Sequence, residues 1–179
     1  MNVAFGKAMD YSGGQYGEAI LSRYPLQSTK NYALPFTEGR EPRAAISARV
    51  RLGESGPEIL FVGTHLEHAD AALRLRQAQH LARELAAVEG VPALLTGDLN
   101  AVPDSPPMRA LLRSWADAGA EHPAPTCPAA APTARIDYIL FRPADRWRVV
   151  EYRVIEEKVA SDHRPVAAVG GTGPQRLSH

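Results

Sequence analysis

The stretch Leu94-Leu95-Thr96-Gly97-Asp98-Leu99-Asn100 constrains this chain more than any other. A short apolar run is the pattern of a buried strand, and Gly97 lets the backbone turn sharply at its end. If the chain stays extended through that turn, alternate side chains share a face. Asp98 and Asn100 then point the same way while Leu99 points back into protein. A carboxylate beside a carboxamide can hold a water molecule, a divalent cation or a phosphate oxygen. Glycine and aspartate also make ordinary turns, so the stretch acquires meaning only from its surroundings.

Those surroundings are those of one domain. The chain has 179 residues, 45% of them hydrophobic, enough for a sizeable core. Lys+Arg and Asp+Glu stand at 20 each, which removes the global basic field of a non-specific nucleic-acid binder and leaves room only for a local basic groove. The single cysteine, Cys127, excludes an internal disulfide framework and a cysteine zinc cluster. No apolar run is long enough to span a bilayer, and the first residues carry no signal-peptide pattern. A soluble, cytoplasmic protein is the default, and a targeting segment upstream would change it.

Along the chain, residues 10–17 read as a turn-rich loop and 19–22 as a short strand stopped by Tyr24-Pro25. Residues 44–52 alternate, with Ile46, Ala48, Val50 and Leu52 on one side and Ser47, Arg49 and Arg51 on the other, as in a half-buried strand. The more continuous run 58–65 suits a sheet covered on both faces. Asp70 is placed to cap a helix running to about Glu89, with Ala71, Leu75, Ala78, Ala82 and Leu85 inward and Arg74, Arg76 and Arg83 toward water. Ser105-Pro106-Pro107 opens a second helix. Residues 116–134, rich in Ala and Pro without a period, read as a long surface loop of the type that often shapes a site. Strands are predicted at 135–141, 147–156 and 166–169. The reading is one domain over 1–169 and a flexible tail over 170–179.

Four strand edges carry residues able to act on a substrate: Thr64-His65, Asp98-Leu99-Asn100, Ile136-Asp137-Tyr138 and Ser161-Asp162-His163. Asp137 interrupts a sequence that otherwise demands burial, and a buried carboxylate must be paired. A histidine is its natural partner, since the carboxylate fixes one ring nitrogen and leaves the other for chemistry. His65 and His163 stand next to such motifs. His68, His80, His122 and His179 read as structural or solvent-exposed. Carboxylates, a carboxamide and two imidazoles suit metal-assisted hydrolysis, in which a hard cation takes oxygen ligands and a carboxylate orients or deprotonates water. A Ser-His-Asp hydrolase competes with this reading, but no Gly-x-Ser-x-Gly turn occurs, and neighbouring Ser161, Asp162 and His163 face different ways on an extended chain.

Five motifs in order, Tyr16-Gly17-Glu18-Ala19-Ile20-Leu21-Ser22-Arg23, Gly63-Thr64-His65-Leu66, Gly97-Asp98-Leu99-Asn100, Arg135-Ile136-Asp137-Tyr138-Ile139 and Ser161-Asp162-His163-Arg164-Pro165-Val166, together resemble the endonuclease/exonuclease/phosphatase superfamily, the deoxyribonuclease-I-like fold. The resemblance implies a four-layer α/β sandwich with two packed mixed β-sheets and a site at one edge served by Mg²⁺ or Mn²⁺. It implies that Asp98 orients or deprotonates water, that Asn100 holds that water or a phosphate oxygen, and that His65 bonds a non-bridging oxygen. By the same resemblance, His163 supported by Asp137 stabilises the transition state or the leaving group, and Asp162, with Asp98 and Asn100, ligates or orients the metal. Arg43 and Tyr16 are candidate phosphate contacts, with a solvated strand-edge charge the alternative for Arg43 and simple packing the alternative for Tyr16.

The sequence departs from the family at its front. Members begin with a strand ending in a catalytic asparagine and a later strand carrying the principal metal-ligand glutamate, and Asn2 and Glu18, the nearest residue types, sit in other contexts. The chain therefore reads as N-terminally incomplete or truncated. The expected activity is a metal-dependent phosphoesterase acting on a nucleic acid, a phospholipid head group or a phosphorylated small molecule. The alternative is a non-catalytic remnant of the fold that serves as a binding module.

Overall fold

The computed structural model describes residues 1–88 and 90–173. Its first element is a hairpin, β1 (Asn2–Tyr11) against β2 (Gly14–Ser22), closed by Ser12 and Gly13. Both turn residues have positive φ, 48° and 79°, the turn whose twist matches that of the flanking strands. The sequence reading placed a loop here and missed β1. Its Val3-Ala4-Phe5-Gly6 alternation is too weakly apolar to announce a strand, because both Val3 and Phe5 remain exposed.

A six-stranded sheet follows, built from β3 (Leu26–Ala33), β4 (Ala44–Arg51), β5 (Glu58–His65), β6 (Ala93–Asp98), β7 (Ala116–Asp117) and β8 (Asp137–Arg142), in the order β3-β4-β5-β6-β8-β7. β5 and β6 run parallel, and the crossover that parallel neighbours require is α1 (Ala71–Ala86). A second, short helix, α2 (Pro106–Leu111), packs beside it. A second hairpin, β9 (Trp147–Val154) with β10 (Val166–Thr172), ends the described chain. β10 continues through Gly170 and Thr172, where the flexible tail over 170–179 was expected to have begun. Residues 174–179 lie outside the described residues.

The two-residue period of the central strands sorts its side chains onto two faces. Ala45, Leu60, Val62, Leu95 and Leu140 turn one way and form the main core with Leu81 and Leu85 of α1 and Met108 and Leu111 of α2. Ile46, Ala48, Val50, Ile59 and Phe141 turn the other way, toward Ile20 of β2 and Trp147 of β9. This is the expected α/β architecture with packed sheets. Three of the four expected layers are present among the described residues: helices, central sheet and hairpins. The outer side of β9 instead turns Arg148, Glu151 and Arg153 to water.

Asp70 caps α1 as predicted, its Oδ1 accepting the N–H groups of Ala72 and Leu73 at 2.9 and 3.0 Å. The buried stripe differs from the prediction. Leu73, Gln77, Ala78, Leu81 and Leu85 are buried, whereas Ala71 is exposed and Leu75 and Ala82 are half-buried. Gln77 explains the rotation: its Nε2 donates to the Pro35 carbonyl at 3.0 Å and its Oε1 accepts from Glu67 N–H at 2.8 Å. A fully partnered amide is buried at low cost, and an apolar pattern does not register it. Arg74, expected to face water, donates to the carbonyls of Glu67 and His68 at 2.7 and 2.9 Å. The helix stops at Ala86, and the predicted end at Glu89 lies outside the described residues. β3 was also not foreseen, because Gln27-Ser28-Thr29-Lys30-Asn31 is polar, as befits an edge strand.

Of the long loop predicted over 116–134, residues 116–117 instead form β7, which pairs with β8, and residues 118–134 form the loop, pinned at both ends. Arg135 makes a forked pair with Asp117, both contacts at 2.7 Å, and its guanidinium lies 4.5 Å from the Tyr138 ring centroid. Both side chains are nearly buried. Removing one partner strands a charge, so Asp117→Ala is expected to cost about 3–5 kcal/mol in urea denaturation. The paired change Asp117→Leu with Arg135→Met is expected to cost clearly less than Asp117→Ala.

Candidate functional site

Register brings the candidate residues together. His65, the last residue of β5, pairs with Asp98 at the end of β6, and Asp98 pairs with Asp137 at the start of β8. The three form a row across adjacent strands, on the face turned toward the hairpins and at one end of the sheet. His65 Nε2 stands 3.4 Å from Asp98 Oδ2. Beyond Asp137 comes His163, whose Nδ1 lies 2.9 and 3.1 Å from the two Asp137 oxygens and 4.0 Å from Asp98 Oδ2.

Local backbone geometry explains how each side chain is held. Gly97 has a φ of 140°, and a Cβ there would lie 1.8 Å from the Thr64 carbonyl oxygen, so only glycine lets β6 approach β5 at this point. Asp98 Oδ1 then accepts Asn100 N–H at 2.7 Å, and Asn100 takes a φ of 47°. This side-chain turn, common for aspartate, leaves Leu99 buried behind and Asp98 and Asn100 half-buried in front, as predicted. Asn100 Nδ2 donates to the Leu66 carbonyl at 2.9 Å, which leaves its Oδ1 as the free acceptor.

The long loop holds His163 in place. Thr126 carbonyl accepts Arg164 N–H at 2.8 Å, Ala129 N–H donates to the Asp162 carbonyl at 2.7 Å, and Arg164 Nε donates to the Ala129 carbonyl at 2.9 Å. The turn Ser161-Asp162-His163 is thus clamped from both sides. Asp162 has an exposed side chain at the rim, with Ser161 Oγ 3.4 Å from its Oδ1. Cys127 in the same loop is a protonated thiol. Burial raises its pKa, and the charges of Asp137, Asp162 and Asp98 raise it further.

Arg43 is buried, which decides against the solvated strand-edge alternative. Its Nη1 donates to Tyr16 Oη at 3.1 Å and meets Glu41 Oε1 at 3.1 Å, while Nη2 approaches His68 Nδ1 at 3.5 Å. Tyr16 therefore does more than pack. Arg43, His65, His68, Asp98, Asn100, Asp137, Ser161, Asp162 and His163 line a shallow cleft of about 460 Å³. Three residues beyond the predicted set contribute here: His68, read from sequence as structural, and Glu41 and Glu18. On β2, Tyr16, Glu18 and Ile20 alternate, and Ile20 is buried, so Glu18 is on the inward side. That period was the available signal.

The electrostatics follow from burial and proximity. Burial raises the Asp98 pKa, Asn100 N–H opposes the rise and Asp137 adds to it. Burial likewise raises Glu18, with Arg43 opposing and Asp98 assisting. His65 is lowered to about 4, mainly by burial and then by the positive charges of Arg43, His163 and His68. Burial would also lower His163, but the hydrogen bond and charge of Asp137, with Asp98 and Asp162, together outweigh it and raise the pKa. The two imidazole pKa values are thus pushed apart, His65 down and His163 up. Asp98, Asp137 and His163 each place a donor atom within 4.8 Å of the others. Two carboxylates crowded together under burial gain from a hard cation.

Comparison with known proteins bears on the family and the fold. The family profile described as Endonuclease/Exonuclease/phosphatase family matches residues 4–163. The uncharacterized protein YbhP of Escherichia coli K12 is 26% identical over 173 residues, covering 93% of this chain and 67% of the relative. A functionally unknown conserved protein from Enterococcus faecalis V583 superposes with a TM-score of 0.81 at 20% identity, covering 96% of this chain and 77% of its own. The mannosyl-6-phosphatase Bt3783 of Bacteroides thetaiotaomicron VPI-5482 does so with a TM-score of 0.77 at 20% identity, covering 94% and 76%. At these identities the solved structures show the shared fold.

Histidine NMR titration checks the electrostatics. His65 is expected to stay neutral down to about pH 4, and His163 to titrate above the ordinary histidine value unless Asp137→Asn removes its partner. For His65 the unfolded chain binds a proton near pH ~6.5 that the folded chain refuses until about 4. Its contribution to stability is therefore complete above that upper value and is lost as pH falls through the window.

Proposed function

Because this chain belongs to the endonuclease/exonuclease/phosphatase family, we propose that it is a metal-dependent phosphoesterase, hydrolysing a P–O bond by in-line attack of water. The observation that carries the proposal is the row of His65, Asp98 and Asp137 across three strand ends, closed by the Asp137–His163 pair. A packed fold has no use for two half-buried carboxylates side by side, whereas phosphoryl transfer needs groups that hold water and answer charge on oxygen.

The donor chemistry fits a hard cation. Asp98, the free Asn100 Oδ1 and Asp162 would hold Mg²⁺ or Mn²⁺, which, when bound, neutralises charge on a phosphate oxygen. The chain's own groups do the rest. Asp98 orients the attacking water or accepts its proton. Neutral His65 donates its single ring N–H to a non-bridging oxygen. His163, its Nδ1–H held by Asp137, presents Nε2–H to the developing charge and to the leaving oxygen. Arg43, held by Tyr16 and Glu41, supplies fixed positive charge at the side of the cleft.

The cleft is small and holds one buried guanidinium rather than a basic stripe. A phosphorylated small molecule or a phosphodiester head group suits it better than a long nucleic acid, whose backbone calls for many cationic contacts.

Hydrolysis of bis(4-nitrophenyl) phosphate with Mg²⁺ or Mn²⁺ tests the reading. A chelator is expected to abolish turnover, and His163→Ala and Asp98→Asn each to lower kcat by about 10²–10⁴-fold, with circular dichroism unchanged. Absence of turnover on this and on phosphomonoester substrates by the folded chain would favour the binding-module alternative.

A further inference from the structure

The fold leaves the His68 ring without a structural task. Its side chain is 61% exposed, and the backbone that carries it is pinned by other groups. Gln77 Oε1 accepts Glu67 N–H, and Arg74 donates to the carbonyls of Glu67 and His68. Glu67 behind it is fully buried, its Oε1 answered by the N–H groups of Ala69 and Asp70 at 2.8 and 3.3 Å. His68 Nδ1 stands 3.8 Å from that oxygen, too far for a hydrogen bond, and 3.5 Å from Arg43 Nη2. A guanidinium can only donate. Nδ1 is therefore the acceptor, and the neutral ring carries its proton on Nε2.

Arg43 is held on its other side. Tyr16 and Glu41 take Nη1, the side chain is only 4% exposed, and Nη2 keeps a second N–H with no partner among the described residues. Both residues line the cleft, and together they offer it two donors and no acceptor. An oxygen must meet them, and the guanidinium charge favours an anionic one. Arg43 leads into β4, His65 ends β5, Asp98 ends β6 and Asp137 begins β8, four neighbouring strands in that order. The first and last are three strand spacings apart, about 14 Å, a span that one phosphate group does not fill. In-line attack sets water and leaving oxygen on opposite sides of phosphorus, and His163 at the β8 end addresses the leaving oxygen. The β4 end then receives an arm that stays on the phosphate.

We propose that His68, oriented by Arg43, donates from Nε2 to an anionic group on the retained arm of a phosphodiester substrate, with Arg43 Nη2 as the second donor. The β4 end of the cleft thereby selects esters that carry a second negative charge away from the leaving group. This assignment rests on the phosphoesterase reading for the direction in which the substrate lies. The two donors themselves are fixed whether or not the cleft hydrolyses anything.

Two esters with one leaving group provide the test: 4-nitrophenyl 3-carboxypropyl phosphate and 4-nitrophenyl butyl phosphate, which differ in the charge at the end of the retained arm. With Mg²⁺, the carboxylate ester is expected to show a KM about tenfold lower, the worth of a charge-assisted hydrogen bond. His68→Leu is expected to erase that preference. His68→Gln is expected to keep it, because a carboxamide can accept from Arg43 and donate to the ligand at once. The ring also reports binding without turnover: the His68 Nε2 resonance is expected to move on titration with the carboxylate ester and not with the butyl ester. Should it move while neither ester is hydrolysed, the phosphoesterase reading falls and the His68 assignment stands. Equal KM values in the native chain, a preference that survives His68→Leu or is lost equally in His68→Gln, or a His68 proton found on Nδ1 would overturn the assignment and leave the hydrolysis reading intact.

Discussion

Two carboxylates directly opposite each other on adjacent strands repel, and a protein tolerates the arrangement only when something answers both. Asp98 and Asp137 are such a pair. Asp98 is answered in part by Asn100 N–H, and Asp137 by His163. Much else in the structure serves those two answers. The glycine before Asp98 lets the Asx turn form, and the long loop exists in its observed shape because it clamps the turn that carries His163. The Arg135–Asp117 pair ties the two ends of that loop together. The site is assembled from ladder register and one clamped loop, which explains why residues far apart in sequence converge without a dedicated scaffold element.

The division of labour between the faces of the central sheet follows from the same alternation. One set of side chains on β5, β6 and β8 packs against α1 and α2 and is buried. The next residue along each strand faces the hairpins, and at the strand ends it becomes a site residue: His65, Asp98, Asp137. Stability and chemistry thus come from neighbouring positions in one strand. A change such as Leu95→Ala would open a cavity costing roughly 2–5 kcal/mol, while a change one turn of the pleat away alters only charge in the cleft.

Much of this could be read from the sequence because strand ends are marked by short motifs. Thr64-His65, Asp98-Leu99-Asn100, Ile136-Asp137-Tyr138 and Ser161-Asp162-His163 each break an apolar run with polar groups, and the fold brings all four to one cleft. The cost of burying a lone carboxylate called for a histidine partner to Asp137, and the family resemblance implied that the partner is His163. What escaped the sequence reading has physical causes. β1 and β3 are outer strands with few buried residues, so their alternation carries little apolar contrast. α1 turns Gln77 inward because that amide is fully partnered, a fact about Pro35 and Glu67 rather than about the helix. Arg43 is buried because Tyr16, Glu41 and His68 surround it, and those neighbours come from three separate segments.

Glu18 shows how such a residue acquires a role that its motif does not assign. It lies one strand period from Tyr16, whose hydroxyl is bonded to Arg43, and one from Ile20, which is buried against the central sheet. Strand geometry therefore fixes its side of β2. Burial pushes its carboxyl toward the neutral form, Arg43 draws it back toward ionisation, and Asp98 opposes that ionisation. The strand period that buries Ile20 thus also delivers Glu18 to the charges of the cleft, without a motif of its own.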